Sequence, residues 1–220
     1  MRTEAAVFDL DGTLADTMPM HGRAWVAFSR RHGVEQPEER FLREWAGWKN
    51  AEILPLLFGR PISAAESAAL ADEKERAYRE AIKDELAPMP GLLALLERLA
   101  ARDVPMAVAT AAPPENRDFV LDRLDLRRFF GAIVSSEDAP RGKPFPDLFL
   151  VAAQRVGADP TRCVAFEDAV NGVRAAVAAG MRTCAVLTTA TPEALRAAGA
   201  EWTIPDFREL PGSLERALFG

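Results

Sequence analysis

Lysine is scarce in this chain, cysteine and histidine are scarcer, and no long apolar run occurs. Each shortage excludes something. Of 27 basic residues only Lys49, Lys74, Lys83 and Lys143 are lysine. A chain that covers its surface with arginine keeps lysine for places that need a compact, mobile ammonium. The two cysteines, Cys163 and Cys184, are too few for a disulfide framework. Both fall in apolar strand-like runs, where they read as buried free thiols of a reducing cytoplasm rather than as a metal pair. No stretch approaches the length of a membrane span, and Met-Arg-Thr-Glu leads straight into a strand-like run rather than an export signal. The net charge of −6, without a basic run, argues against nucleic acid as a partner.

What is present is enough apolar material for a core: 49% of 220 residues. Short apolar runs near 5–9, 104–110, 132–135, 162–167, 182–187 and 201–204 read as strands. Helical periodicity appears near 91–102, 115–124, 146–156, 169–179, 192–198 and 207–218. This alternation predicts an α/β, Rossmann-like, doubly wound parallel sheet. Residues 20–31, 37–45, 51–58 and 64–82 are also helical, with no strand between them. They predict an inserted all-α cap. The expected division is a core of 1–15 and 88–220 and a cap of 16–87, joined through Leu14–Pro19 and Ala87–Gly91.

Asp9-Leu10-Asp11-Gly12-Thr13 leaves the first strand-like run with two carboxylates two residues apart. Gly12 lets the backbone turn behind them. One such carboxylate can attack phosphorus while the other moves a proton. An acidic turn after a strand is the alternative for these residues alone. Further along, Thr110 ends a second strand, Lys143 sits in Gly142-Lys143-Pro144, and Glu167-Asp168 ends another strand ahead of Asn171-Gly172. In open parallel sheets that edge is where ligands bind.

The order and spacing of these four segments resemble the haloacid dehalogenase (HAD) superfamily over nearly the whole chain. The resemblance implies Asp9 as nucleophile, Asp11 as general acid and base, and Thr110 and Lys143 as holders of the phosphoryl oxygens. It implies Mg²⁺ held by Asp9, the Asp11 backbone carbonyl and Asp168, with Glu167 bound directly or through water. Asp11 argues against dehalogenation, which lacks that second acid in this superfamily. Helix capping is the alternative for Glu167-Asp168.

The segment Asp16–Trp25 resembles the β-phosphoglucomutase-like branch. His21 and Trp25 share a helix face, and His21 is expected to reach Asp11. Lys74 matches a cap lysine that contacts substrate phosphate; an exposed salt-bridged lysine between Glu73 and Glu75 is the alternative. Gly47, Lys49 and Asn50 fall at the expected cap tip, and Ala111 and Asn116 follow Thr110; the resemblance implies that these five, with His21, Trp25 and Lys74, bind substrate. The chain departs from the mutase pattern here. Asn50 stands where the cap arginine is expected, and the serine and lysine after the second motif are missing. Lys49 and Arg117 are possible substitutes. The reading is therefore a phosphatase of small phosphorylated sugars, monomeric or weakly dimeric. A sugar phosphomutase is the alternative, and a non-catalytic phosphometabolite-binding module is a third.

Overall fold

The structure is a computed structural model that describes residues 3–45 and 48–220, with Arg43 described by its backbone only. Six short strands form one sheet: β1 (Ala5–Phe8), β2 (Met106–Ala109), β3 (Ala132–Val134), β4 (Cys163–Glu167), β5 (Arg182–Val186) and β6 (Trp202–Ile204). All pair in parallel, in the order β3-β2-β1-β4-β5-β6. The strands are apolar runs because helices cover both faces.

Alternation along each strand sorts the faces. Ala6, Phe8, Val108, Val164 and Phe166 pack with Leu92, Leu95, Leu96 and Leu99 of α5 (Leu92–Ala100) and Leu214 and Leu218 of α10 (Gly212–Phe219). On this side Phe8 stacks on Phe166 at 4.6 Å. Ala5, Val7, Ala107, Ala109 and Ala165 face α7 (Asp147–Arg155) and α8 (Val170–Ala178). There the small side chains let the helices sit close. Two more helices, α6 (Pro114–Arg123) and α9 (Pro192–Ala197), complete the layers.

Between β1 and α5 the chain forms α1 (Met18–Arg31), α2 (Glu38–Arg43), α3 (Asn50–Phe58) and α4 (Ala64–Ile82). These four have an apolar core of their own, with Trp25, Phe28, Phe41, Trp45, Ile53, Leu54 and Leu57. Trp25 stacks flat on Phe41, with ring centres 5.4 Å apart. The chain segments leading in and out lie side by side. Ala15 bridges Pro88, and Met89 N–H donates to the Leu14 carbonyl at 2.9 Å.

One helix differs from expectation. The periodicity near 207–218 becomes a helix only from Gly212, after Pro211. Proline has no N–H to give and its ring clashes inside a helix. It therefore stands at the cap position, while Phe207 packs into the core from irregular backbone. Among the described residues no helix is long and apolar enough to cross a membrane.

Candidate active site

β1 and β4 are neighbours, and their carboxyl ends lie where the strand order reverses. Asp9 N–H donates to the Phe166 carbonyl at 2.9 Å, which continues the ladder one residue past the strand. The pairing brings Asp9 beside Glu167 and Asp168. One carboxylate oxygen from each of the three lies within 4.8 Å of the others, and all three residues are buried. Two glycines leave room for them. Gly12, at φ +78°, turns the chain so closely under Asp168 that a Cβ there would stand 2.1 Å from Oδ2. A Cβ on Gly172 would stand 1.7 Å from Glu167 Oε1.

Lys143 Nζ reaches Asp9 Oδ1 and Glu167 Oε1, each at 2.5 Å. Burial works against its ammonium, but the two carboxylates outweigh this and hold its pKa above the usual lysine value. Glu167 Oε2 accepts the backbone N–H groups of Asp168 and Ala169, both at 2.8 Å. Thr188 Oγ1 donates to the Gly12 carbonyl at 2.6 Å, and Thr189 donates to Asp168.

Three carboxylates against one lysine leave excess negative charge. Burial, with Glu167 and Asp11 nearby, pushes the Asp9 carboxyl up to about 7 despite Lys143. Burial, with Glu167 and Asp9, raises the Asp168 carboxyl well above its ordinary value. Hard oxygen donors at this spacing, short of positive charge, suit a hard divalent cation. Thr110 directly follows β2 on the same edge, and its Oγ1 accepts the Ala112 N–H at 3.0 Å. That leaves its hydroxyl proton free for the pocket it lines.

Asp11 faces α1 and α4. Its Oδ1 accepts from Thr17 Oγ1 at 2.6 Å, and Tyr78 Oη and His21 Nε2 both stand 3.4 Å away. His21 stacks on Tyr78 with ring centres 3.7 Å apart. Lys74 Nζ lies 2.9 Å from His21 Nδ1. An ammonium can only donate, so Nδ1 accepts and Nε2 carries the proton toward Asp11. Burial raises the Asp11 pKa, but His21 and Thr17 outweigh it and the group titrates below its ordinary value.

Lys74 is not on the surface between Glu73 and Glu75; it is 1% exposed. Its ammonium lies 2.8 Å from Glu75 Oε1 and 4.8 Å from the Trp25 ring centre. Glu75 is buried too, and it collects the neighbouring amides. Asn50 Nδ2 donates to Oε1 at 2.8 Å and Asn116 Nδ2 to Oε2 at 2.5 Å. Asn116 in turn accepts from Arg79 at 2.7 Å.

The pocket between sheet edge and helices is lined by Asp9, Asp11, His21, Trp25, Asn50, Lys74, Thr110, Ala111, Lys143, Glu167 and Asp168 among the residues expected from the sequence. Lys49 and Asn116 are not in its lining. Lys49 Nζ donates to the carbonyls of Ser136 and Ala139, at 2.6 and 3.1 Å, and so ties α3 to the loop after β3. Asn116 stands behind Glu75. Arg117 is engaged by Asp118 and Ser135. Gly47 lies outside the described residues. Lys83 pairs on the surface with Glu80. His32 stands at the C-cap of α1.

Sequence reasoning missed Glu75, Thr17, Thr188 and Thr189. Thr188 and Thr189 follow a buried strand as Thr110 does, so the same strand-end signal was available. Glu75 carried none, because Glu-Lys-Glu on a helix reads as a solvated face.

A family model described as haloacid dehalogenase-like hydrolase matches residues 3–180. The fructose-1-phosphate phosphatase YqaB of Escherichia coli is 36% identical over 182 residues, which are 82% of this chain and 94% of that one. Hexitol phosphatase B of the same organism is 32% identical over 183 residues, 83% of this chain and 82% of that one. Among solved structures, a β-phosphoglucomutase from Clostridium difficile superposes with a TM-score of 0.83 at 25% identity, covering 98% of this chain and 96% of that chain.

Proposed function

We propose that this chain, which belongs to the haloacid dehalogenase-like hydrolase family, is a Mg²⁺-dependent phosphatase of small phosphorylated sugars and polyols. One observation carries the reading. A second acid, Asp11, stands beside the Asp9–Glu167–Asp168 cluster with a hydrogen-bond network of its own. A cluster without it could bind phosphate but would lack the group that moves the proton.

In this reading Asp9 attacks phosphorus in line. An Asp9 oxygen–phosphorus bond forms as the bond to the sugar oxygen breaks. Asp11, whose pKa a neighbouring phosphate dianion raises, gives its proton to the leaving oxygen. A water then attacks the same phosphorus, Asp11 takes its proton, and inorganic phosphate and free Asp9 result. Thr110 and Lys143 hold the equatorial oxygens as charge spreads over them. Mg²⁺, held by Asp9, the Asp11 carbonyl, Asp168 and Glu167, would offset the repulsion between the attacking carboxylate and the phosphate.

The phosphatase reading is preferred to the mutase because the expected second-phosphate grip is engaged elsewhere. Lys49 serves backbone carbonyls, Arg117 serves Asp118, and Lys74 serves Glu75. The names of the two bacterial relatives point to the same substrate class. The two free buried thiols fit a reducing cytoplasm.

The test is phosphate release from fructose 1-phosphate and glucitol 6-phosphate, with Mg²⁺ and with excess chelator. Release that needs the metal and disappears in Asp9→Asn supports the reading. Conversion of β-glucose 1-phosphate to glucose 6-phosphate with negligible phosphate release would replace it with the mutase.

A further inference from the structure

Groups that orient the ligands of a metal also tune how tightly it binds. The three acids of the cluster are held very differently. Lys143 reaches Asp9 and Glu167. Two backbone N–H groups add to the hold on Glu167. Asp168 receives none of these. Its Oδ2 accepts from Thr189 Oγ1, and its Oδ1 accepts no hydrogen bond among the described residues.

Thr188 Oγ1 lies 3.4 Å from the same Oδ2, but its single proton goes to the Gly12 carbonyl at 2.6 Å. Among the described residues, Thr189 is therefore the one side chain that fixes the rotation of the Asp168 carboxylate. Gly12 lies so close to Oδ2 that the carboxylate has no room on that side. Thr189 is absent from the lining of the reaction pocket. It lines a neighbouring groove instead, with Thr188, Asn171 and Arg174. It can reach the chemistry only through Asp168.

We propose that Thr189 is a positioning residue of the metal site. By engaging Asp168 Oδ2 it leaves Oδ1 to meet the cation, and so sets both the affinity for Mg²⁺ and the preference for Mg²⁺ over Ca²⁺. One oxygen per carboxylate suits Mg²⁺, which demands near-octahedral geometry at about 2.1 Å, whereas Ca²⁺ takes more ligands at about 2.3–2.6 Å and accepts both oxygens of one carboxylate. The inference rests on the metal dependence in the phosphatase reading and deepens it.

Calorimetric titration of the chelator-treated full chain, with Mg²⁺ alone and with Ca²⁺ alone, tests this. Thr189→Val keeps the shape and removes the donor. It should weaken Mg²⁺ binding by about tenfold or more. Ca²⁺ binding should weaken by no more than about threefold, because the freed carboxylate can offer that ion both oxygens. Thr189→Ser keeps the hydroxyl and should hold both affinities within about threefold of native. A merely structural role would lower the two affinities in proportion. Loss of less than about threefold in Mg²⁺ affinity in Thr189→Val overturns the inference, as does an equal loss for the two ions. If Thr189→Val does not fold, Thr189→Ala carries the same comparison. A native protein that binds neither cation fails the Mg²⁺ reading itself, and the inference falls with it. Native binding with an unaffected variant fails the inference alone.

Discussion

Lys143 touches Asp9 and Glu167 at the same 2.5 Å and is 2% exposed. It is thus the internal counter-charge of the acid cluster as well as the proposed ligand of the phosphoryl group. Lys143→Met should lower kcat by about 10²-fold or more, the scale of losing one preorganised donor. It should also destabilise the metal-free protein by about 3–5 kcal/mol at neutral pH, because buried carboxylates lose their partner. Steady-state kinetics and urea unfolding check the two separately. A variant inactive but fully stable would mean that Lys143 does not neutralise the cluster.

Asp9→Asn removes the nucleophile but also one of the crowded negative charges. Turnover should vanish. Stability of the metal-free protein should hold or rise at pH 8, where the native Asp9, with its pKa at about 7, is ionised at a cost. Near wild-type activity in the folded variant would end the covalent mechanism.

Metal should stabilise the protein more as pH rises. The Asp9 and Asp168 carboxyls both have raised folded pKa values, that of Asp9 at about 7, so from the unfolded value near 4 up to the folded Asp9 value the native state binds more protons than the unfolded one. Stability of the metal-free protein therefore falls across this window as pH increases. Mg²⁺ must displace those protons at pH 5 but not at pH 8. The Mg²⁺-induced rise in Tm should be several-fold larger at pH 8, measured by differential scanning fluorimetry or calorimetry. An equal rise at both pH values would remove the cluster as the metal site.

His21→Phe keeps a ring on Tyr78 but deletes the N–H that faces Asp11. The native Asp11 carboxyl is held low, so its stabilising contribution is present above the unfolded pKa and is lost as pH falls through the folded one. The variant should be less stable than the native protein by about 1.5–3 kcal/mol at pH 7, the scale of one hydrogen bond to a charged group. The gap should close toward pH 3. Its kcat should drop by about tenfold or more as proton transfer loses its orienting partner. A stability gap that stays constant with pH would show that His21 acts by packing alone.

The chemistry at the sheet edge was legible because it is local. Asp9, Thr110 and Glu167 each end or follow a buried apolar strand, and parallel pairing must gather strand ends. The wall facing them was not, because it depends on how helices meet. The sequence pattern Glu73-Lys74-Glu75 looks solvated, and only the packing of α1 against α4 puts Lys74 beneath Trp25 and beside His21. Asn50 and Asn116 lie 66 positions apart and were read as substrate contacts. They meet on Glu75 instead, a convergence that no periodicity encodes. The late start of α10 was readable, since Pro211 marks it.

Gly12 and Gly172 give the acids their room through a missing methyl group. Genetically, each glycine is then an allele of the acid above it. Alanine at 172 displaces Glu167, and alanine at 12 displaces Asp168, so either should copy the phenotype of losing that carboxylate. Adding the loss of the acid to the glycine change should cost little more, because both remove one function. The same glycine change combined with a distant lesion should compound in full. Such epistasis would map the volume of the catalytic centre from the pattern of double mutants alone, without a ligand in the pocket.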